Sequence, residues 1–197
     1  MHRLVFRAVE EFLCDTYGDA VWAQVLAGCE AESANQQASP EALSVSRDRS
    51  ERLIPMAASR LDKPVAELLE DMGAWLARRE PIRRLMRFSG RDFEDFVISL
   101  EELPGRARFV MPDLRMPRID VVHEPGRTLR LVLAPSAMGW TSLFAGLVRV
   151  MADDYGALSV IEVEGSCVIV SISDDAFAAP REFRLGQALP REGDLPA

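Results

Sequence analysis

The stretch Leu-Pro-Gly-Arg-Ala-Arg-Phe-Val-Met-Pro-Asp-Leu-Arg-Met-Pro-Arg-Ile-Asp, residues 103–120, is where the chain changes its period. On its N-terminal side Phe93, Phe96, Val97, Leu100 and Leu103 recur at three- and four-residue spacing, the apolar stripe of a helix. The pattern predicts that this helix stops at Pro104-Gly105, because proline lacks an amide hydrogen and its ring clashes with the preceding turn. On the C-terminal side, 118–122 and 128–133 read as two strands joined by a turn at Glu124-Pro125-Gly126-Arg127. Helices precede the stretch and strands follow it, which makes the chain one α+β unit with two lobes.

Outward toward the N-terminus, Leu4, Val5, Ala8, Val9, Phe12 and Leu13 form one helical face, with Gly18 as a left-handed stop and Asp19 as the next cap. A second helix carries Val21, Trp22, Val25 and Leu26, and 31–40, rich in Ser, Gln and Ala, reads as a polar loop. A third helix covers about 48–61. A fourth starts with Pro64 at its first position and aligns Val65, Leu68, Leu69, Met72, Trp75 and Leu76. Pro81 opens a short helix that ends at Ser89-Gly90. Outward toward the C-terminus, a long apolar helix over 138–154 precedes a hairpin of 158–162 and 168–172, turning at Glu164-Gly165-Ser166. The expected organisation is a single domain over 1–174, with a helical lobe over about 1–105 and a strand-containing lobe over about 106–174. Residues 175–197, bearing Pro and Arg, are expected to form a frayed tail.

Composition removes several function classes. Of 197 residues 48% are hydrophobic, enough for a sizeable core, and the net charge of −8 comes without a basic block, so nucleic acid is not an expected partner. The longest mostly apolar stretch, 138–151, is too short to cross a bilayer and contains Arg149, so no membrane insertion is expected. The start Met1-His2-Arg3 does not read as a signal sequence. Cys14, Cys29 and Cys167, odd in number and far apart, read as free thiols in a reducing compartment, with the cytoplasm as the expected location. No phosphate-cradling glycine loop, G-x-S-x-G elbow or clustered zinc-ligand spacing is present. The acidic pairs Glu10-Glu11, Glu101-Glu102 and Asp153-Asp154 and the arginines at 78–79 and 83–84 read as solvated helix faces or caps. His2 and His123 read as exposed. No catalytic or metal site is predicted, and the chain is not expected to be an enzyme.

Several stretches, in this order, resemble the haem nitric oxide/oxygen-binding (H-NOX, or HNOB) family. Leu4 to Phe12 with Tyr17-Gly18 and Trp22 looks like the family's opening helices. Lys63-Pro64-Val65, followed by Glu67-Leu68-Leu69 and then Gly73, looks like its "GKPVEELL" helix start. Residues 103–120, with Met111-Pro112-Asp113 and Met116-Pro117-Arg118-Ile119, align without gaps to its segment of a Leu-His pair, a Pro-Asp and a Pro-Arg strand entry. The similarity extends from residue 1 to about 172 and implies an H-NOX-like fold. It also implies a haem-based sensor in bacterial-type signalling that acts on a separate histidine kinase or diguanylate cyclase.

In that family the histidine of the Leu-His pair ligates the haem iron, and a Tyr-x-Ser-x-Arg motif binds the propionates. Here the residue after Leu103 is Pro104, and the second motif aligns to Leu133, Pro135 and Ala137, with Ser136 one residue out of register. The axial bond and the charge clamp are both missing, so haem is not the expected cofactor unless a non-standard axial ligand such as a cysteine thiolate holds it. A pocket between the lobes would be lined by Val5 and Val9, Met72 and Leu76. Leu100, Leu103 and Pro104 would join them, with Met111, Pro112, Pro117, Leu133 and Pro135 beyond. Two readings of that space stand: side chains fill it, or it stays open for an apolar small molecule, with methionines forming an adaptable wall.

Overall fold

The computed structural model describes residues 3–37, 49–110, 112, 114, 116–134 and 139–173. Helix α1 (Arg3–Tyr17) buries Val9, Phe12 and Leu13, and ends where Gly18, at φ 89°, donates its N–H to the Cys14 carbonyl at 3.0 Å. Helix α2 (Asp19–Gln37) runs further than expected. Its last turns, read from sequence as loop, are mostly Ala, Glu and Gln, good helix formers that with no internal Gly or Pro let the ladder continue through Ser33 and Asn35. The rest of that expected loop, 38–40, lies outside the described residues.

Helix α3 (Arg49–Leu61) carries Pro55 on an exposed face. Helix α4 (Val65–Arg78) is preceded by Pro64, whose extended backbone (φ −58°, ψ 139°) places it just before the helix instead of at its first position. Its carbonyl accepts the first helical bond, from Leu68. Helix α5 (Glu80–Arg87) has proline in its first turn. Helix α6 (Phe93–Ser99) is capped by Asp92, whose carboxylate accepts from the Asp95 N–H at 2.8 Å.

The predicted stop at Pro104 is corrected by the structure. After α6 the chain tightens into one 3₁₀ turn (Leu100–Glu102) and enters helix α7 (Leu103–Val110), with Pro104 in its first turn. There proline is no breaker, because first-turn amides have no intrahelical acceptor to lose.

Strands β1 (Ile119–Glu124) and β2 (Thr128–Leu133), helix α8 (Trp140–Tyr155), and strands β3 (Ser159–Glu164) and β4 (Cys167–Ile172) follow. The four strands form an antiparallel sheet in the order β1-β2-β4-β3. Val121 faces Leu131, and Leu131 faces Val168. That register puts Leu129, Leu131, Leu133, Val168, Val170 and Ile172 on one covered face and Val122, Arg130 and Cys167 on the other.

Apolar packing forms two clusters. One joins α1 to α4 around Phe12, Leu13, Val25, Leu53 and Met72. The other joins α6, the 3₁₀ turn and α8 to the sheet around Phe96, Leu100, Leu131, Phe144 and Val170. The change of secondary-structure type falls between Val110 and Ile119, later than the expected boundary near residue 105, but packing divides earlier, along α4. Its Met72 belongs to the first cluster and its Ala77 to the second.

Helices α4 and α8 cross backbone against backbone. A Cβ on Gly73 would overlap the Leu143 carbonyl, and one on Gly146 would overlap the Glu70 carbonyl. An ion pair from Arg149 to Glu70 continues the same seam. A second tie is Arg83, which donates twice to Asp154 at 2.6 and 2.7 Å, joining α5 to α8. The Asp154 side chain is only 9% exposed. Both residues were expected on solvated faces; packing of α5 on α8 instead turns them toward each other. Arg79 likewise bridges Glu11 and Asp15 and lies over the Trp75 ring.

Candidate ligand pocket

The apolar positions expected to line the interlobe space reach the structure by four routes. Helix α1 supplies Val9, 2% exposed, and the half-buried Val5. Helix α4 supplies Met72 and Leu76 from successive turns of the face that packs on α1. The 3₁₀ turn and the start of α7 supply Leu100, Leu103 and the half-buried Pro104. The entry to β1 and the end of β2 supply Pro117 and Leu133, both buried.

These residues fall into two groups. Val9, Met72 and Leu76 pack in the helical cluster, whereas Leu100, Leu103 and Leu133 pack in the sheet cluster with Ile119, Val148 and Met151. Pro112 sits in an exposed turn apart from both, where proline's fixed φ suits a turn better than a wall. Met111, Pro135, Ser136 and Ala137 lie outside the described residues.

The donor chemistry near Pro104 can be tested directly. The side chains clustered with Leu100 and Leu103 are hydrocarbon or thioether apart from the Trp140 indole and the Tyr155 phenol, whose hydroxyl donates to the carbonyls of Met86, Arg87 and Gly90, and Pro104 itself has no side-chain donor atom. Cys29 is buried in the other cluster, and Cys14 packs at its edge. Cys167 pairs with Val132 and so points to the sheet face opposite Leu131 and Leu133. His123 is exposed at the end of β1. Among the described residues no imidazole or thiolate belongs to the cluster around Leu103, and no group of three His, Cys, Asp or Glu side chains is placed to hold a metal ion. These residues do not fit a haem held by a histidine or cysteine from this cluster.

Sequence reasoning did not reach three features of this region. The reciprocal glycine contact of α4 and α8 was legible only as Gly73 and a long apolar helix. The Arg83–Asp154 pair requires knowing that α5 lies on α8. An open groove of about 720 Å³ at the end of α5 lies between Phe88 and Arg91 on one side and Ile98 and Glu102 on the other. The break at Ser89-Gly90 was its one sequence signal.

Among the described residues no helix is long and apolar enough to cross a membrane. No curated protein sequence matches the chain. The sequence pattern of the Haem-NO-binding family matches residues 2–163. The fold is similar to that of a triple-mutant H-NOX protein from S. oneidensis in the Fe(II) ligation state. That match has a TM-score of 0.69 and 17% identity, and covers 91% of this chain and 100% of that one. It is also similar to the Fe(II) unliganded H-NOX protein from K. algicida, at a TM-score of 0.68 and 14% identity over 90% of this chain and 99% of that one. A mutant H-NOX from T. Tengcongensis gives 0.64 and 14%, over 90% and 100%.

Proposed function

The chain belongs to the Haem-NO-binding, or H-NOX, family of haem-based gas sensors in signalling, and on that premise we propose that it is a non-enzymatic sensor or regulatory domain that works without histidine-ligated haem. One observation carries the proposal: α7 opens with Leu103 packed in an apolar cluster and then the half-buried Pro104, which has no side-chain donor atom where an axial ligand would need one. The second aligned feature agrees. Leu133, in the place of a tyrosine that would bind a propionate, is 1% exposed among hydrocarbon neighbours. Two carboxylates entering such a wall would lose their hydration without compensating hydrogen bonds.

Side chains filling the interlobe space are favoured by the near-complete burial of Val9, Leu100 and Leu133 within contiguous clusters. In this reading the domain signals through its surface, to a separate protein of the histidine kinase or diguanylate cyclase kind, in the cytoplasm. An apolar small molecule between Met72 and Leu103 is the second reading, supported by the division of the apolar side chains into two clusters on either side of α4.

The test is an absorption spectrum and a native mass spectrum of the full chain expressed with haem supply. The expected result is no Soret band at stoichiometric haem, with a bare-chain mass for the filled core or a small added mass for an apolar ligand. A Soret band at one haem per chain, lost on substituting one of Cys14, Cys29 and Cys167 by serine, overturns the proposal in favour of haem on a substitute ligand. In the reverse direction, Pro104→His combined with Leu133→Tyr, Pro135→Ser and Ala137→Arg should gain haem affinity. A folded quadruple variant with no gain overturns the assignment of positions 104 and 133.

A further inference from the structure

Strand β3 is one edge of the sheet, and its ladder to β4 fixes which of its backbone groups are left over. Ser159 faces Ile172, and just before it the Ser173 N–H donates to the Leu158 carbonyl at 2.8 Å. In an antiparallel pair, positions that exchange both hydrogen bonds alternate with positions that exchange none. Leu158, Val160, Glu162 and Glu164 therefore turn their N–H and C=O toward β4. Ser159, Ile161 and Val163 turn theirs to the open edge. The two-residue turn at Gly165-Ser166, which closes on Glu164 and Cys167, has the same phase.

That edge is apolar as well as open. Leu158 is 72%, Val160 57% and Val163 42% exposed. The other edge, β1, has the 3₁₀ turn packed against it. Among the described residues the outward groups of β3 have one partner. Arg149 of α8 donates from Nη2 to the Ile161 carbonyl at 3.3 Å, while its Nη1 forms the ion pair with Glu70 on α4. The guanidinium thus stands at the middle of the strand, held there by a carboxylate from another helix. A row of outward N–H and C=O groups beside exposed Leu and Val invites the addition of a strand, and a charged side chain over the edge is one way proteins block it.

We propose that Arg149 guards this edge, and that without it β3 adds the β3 of a second copy of the chain as an antiparallel strand. The sequence of the strand selects the occupant. In a two-fold pair centred on Val160, that valine lies opposite its own copy, Ser159 opposite Ile161, and Leu158 opposite Glu162. No carboxylate then faces another. Ser159 and Ile161 become the positions that exchange both hydrogen bonds, which is the phase the open edge presents. A centre at Glu162 would instead set carboxylate against carboxylate. The guard works by occupancy. The Ile161 carbonyl is an acceptor that such a pair needs, and the guanidinium fills part of the space about 4.8 Å away where the second strand would run. Glu70 is the positioning residue, acting only through Arg149.

The test is sedimentation velocity over a concentration series of the full chain, of Arg149→Ala, and of Arg149→Met, which keeps an apolar stem should the alanine variant melt early. Both variants are expected to dimerise at least ~10-fold more tightly than the unsubstituted chain, because a two-fold pair regains both Ile161 carbonyls. Hydrogen exchange at the Ser159 and Ile161 amides should slow with concentration, with no change in β1. Adding Val160→Lys sets like charges opposite each other at the two-fold axis and should abolish the dimer without lowering the melting temperature. A folded variant that associates no more than the unsubstituted chain overturns the guard. So does an unsubstituted chain already paired through β3, a dimer indifferent to Val160→Lys, or protection that lies elsewhere. In a separate arm the variants meet a synthetic peptide of alternating Arg and Val. Slowed exchange at Ile161 in that arm, with no self-association, overturns the second copy as the occupant.

Discussion

Single residues hold the seams of this molecule, and three of them give sharp expectations. Gly146→Ala should destabilise by about 1–3 kcal/mol, read as a lower urea midpoint, because the added methyl meets the Glu70 carbonyl and the helices must separate. Asp154→Asn should cost about 1–2 kcal/mol in the same assay. The carboxylate is nearly buried, yet Arg83 is 37% exposed and can regain water, which keeps the loss below that of a fully buried pair. Burial is the largest cause that raises the Tyr155 phenol above its usual value of 10.0, with Arg87 opposing. A raised folded-state value means the neutral phenol is favoured in the fold, so its contribution is complete below pH 10.0 and is lost as pH rises through the folded-state value. Alkaline melting curves should therefore show a stability loss beginning near pH 10.0 that is smaller in Tyr155→Phe. None of these roles was legible beforehand. Asp153-Asp154 and Arg83-Arg84 looked like solvated pairs because the sequence does not say which helix faces which.

At the scale of elements, periodicity located the helices and strands except α7, and the errors sit at prolines and at polar ends. Proline has opposite effects in a first turn and in a helix interior, and the local sequence 99–105 permits either. Pro104→Ala should change stability by no more than ~1 kcal/mol and leave far-UV helicity unchanged, since Pro104 lies in the first turn of α7. A gain in helicity would instead favour the helix stop that the sequence suggested. Pro55 is the contrasting case: it lies inside α3 on an exposed face, where it has no amide to donate to the helical ladder. Pro55→Ala should stabilise by about 1–3 kcal/mol, seen as a higher thermal midpoint. The end of α2 was misread because Ser, Asn and Gln are as common in loops as in the last turns of a helix, and only the continuing ladder distinguishes them.

For the whole molecule, the two apolar clusters share α4 and meet α8 at the Gly73–Gly146 crossing, so they should unfold together. Trp22 and Trp75 report on the helical cluster and Trp140 on the sheet cluster. Single-tryptophan variants should give coincident urea transitions in the wild-type background and separated ones in Gly146→Ala, where the crossing is loosened. The candidate site divides in the same way. The missing donor at Pro104 and the hydrocarbon at Leu133 were visible as soon as the residues were aligned, because a side chain's chemistry is a property of the sequence alone. The period change across 103–120 likewise announced helices followed by antiparallel strands, because helix and strand periods are local. Which apolar residues share a cluster depends on how helices cross, and that placed Val9 and Met72 apart from Leu100 and Leu133. The exposed Phe88 depends on a tyrosine 67 residues away gripping its loop. Burial and exposure are set by contacts between distant segments, and no local pattern carries that information.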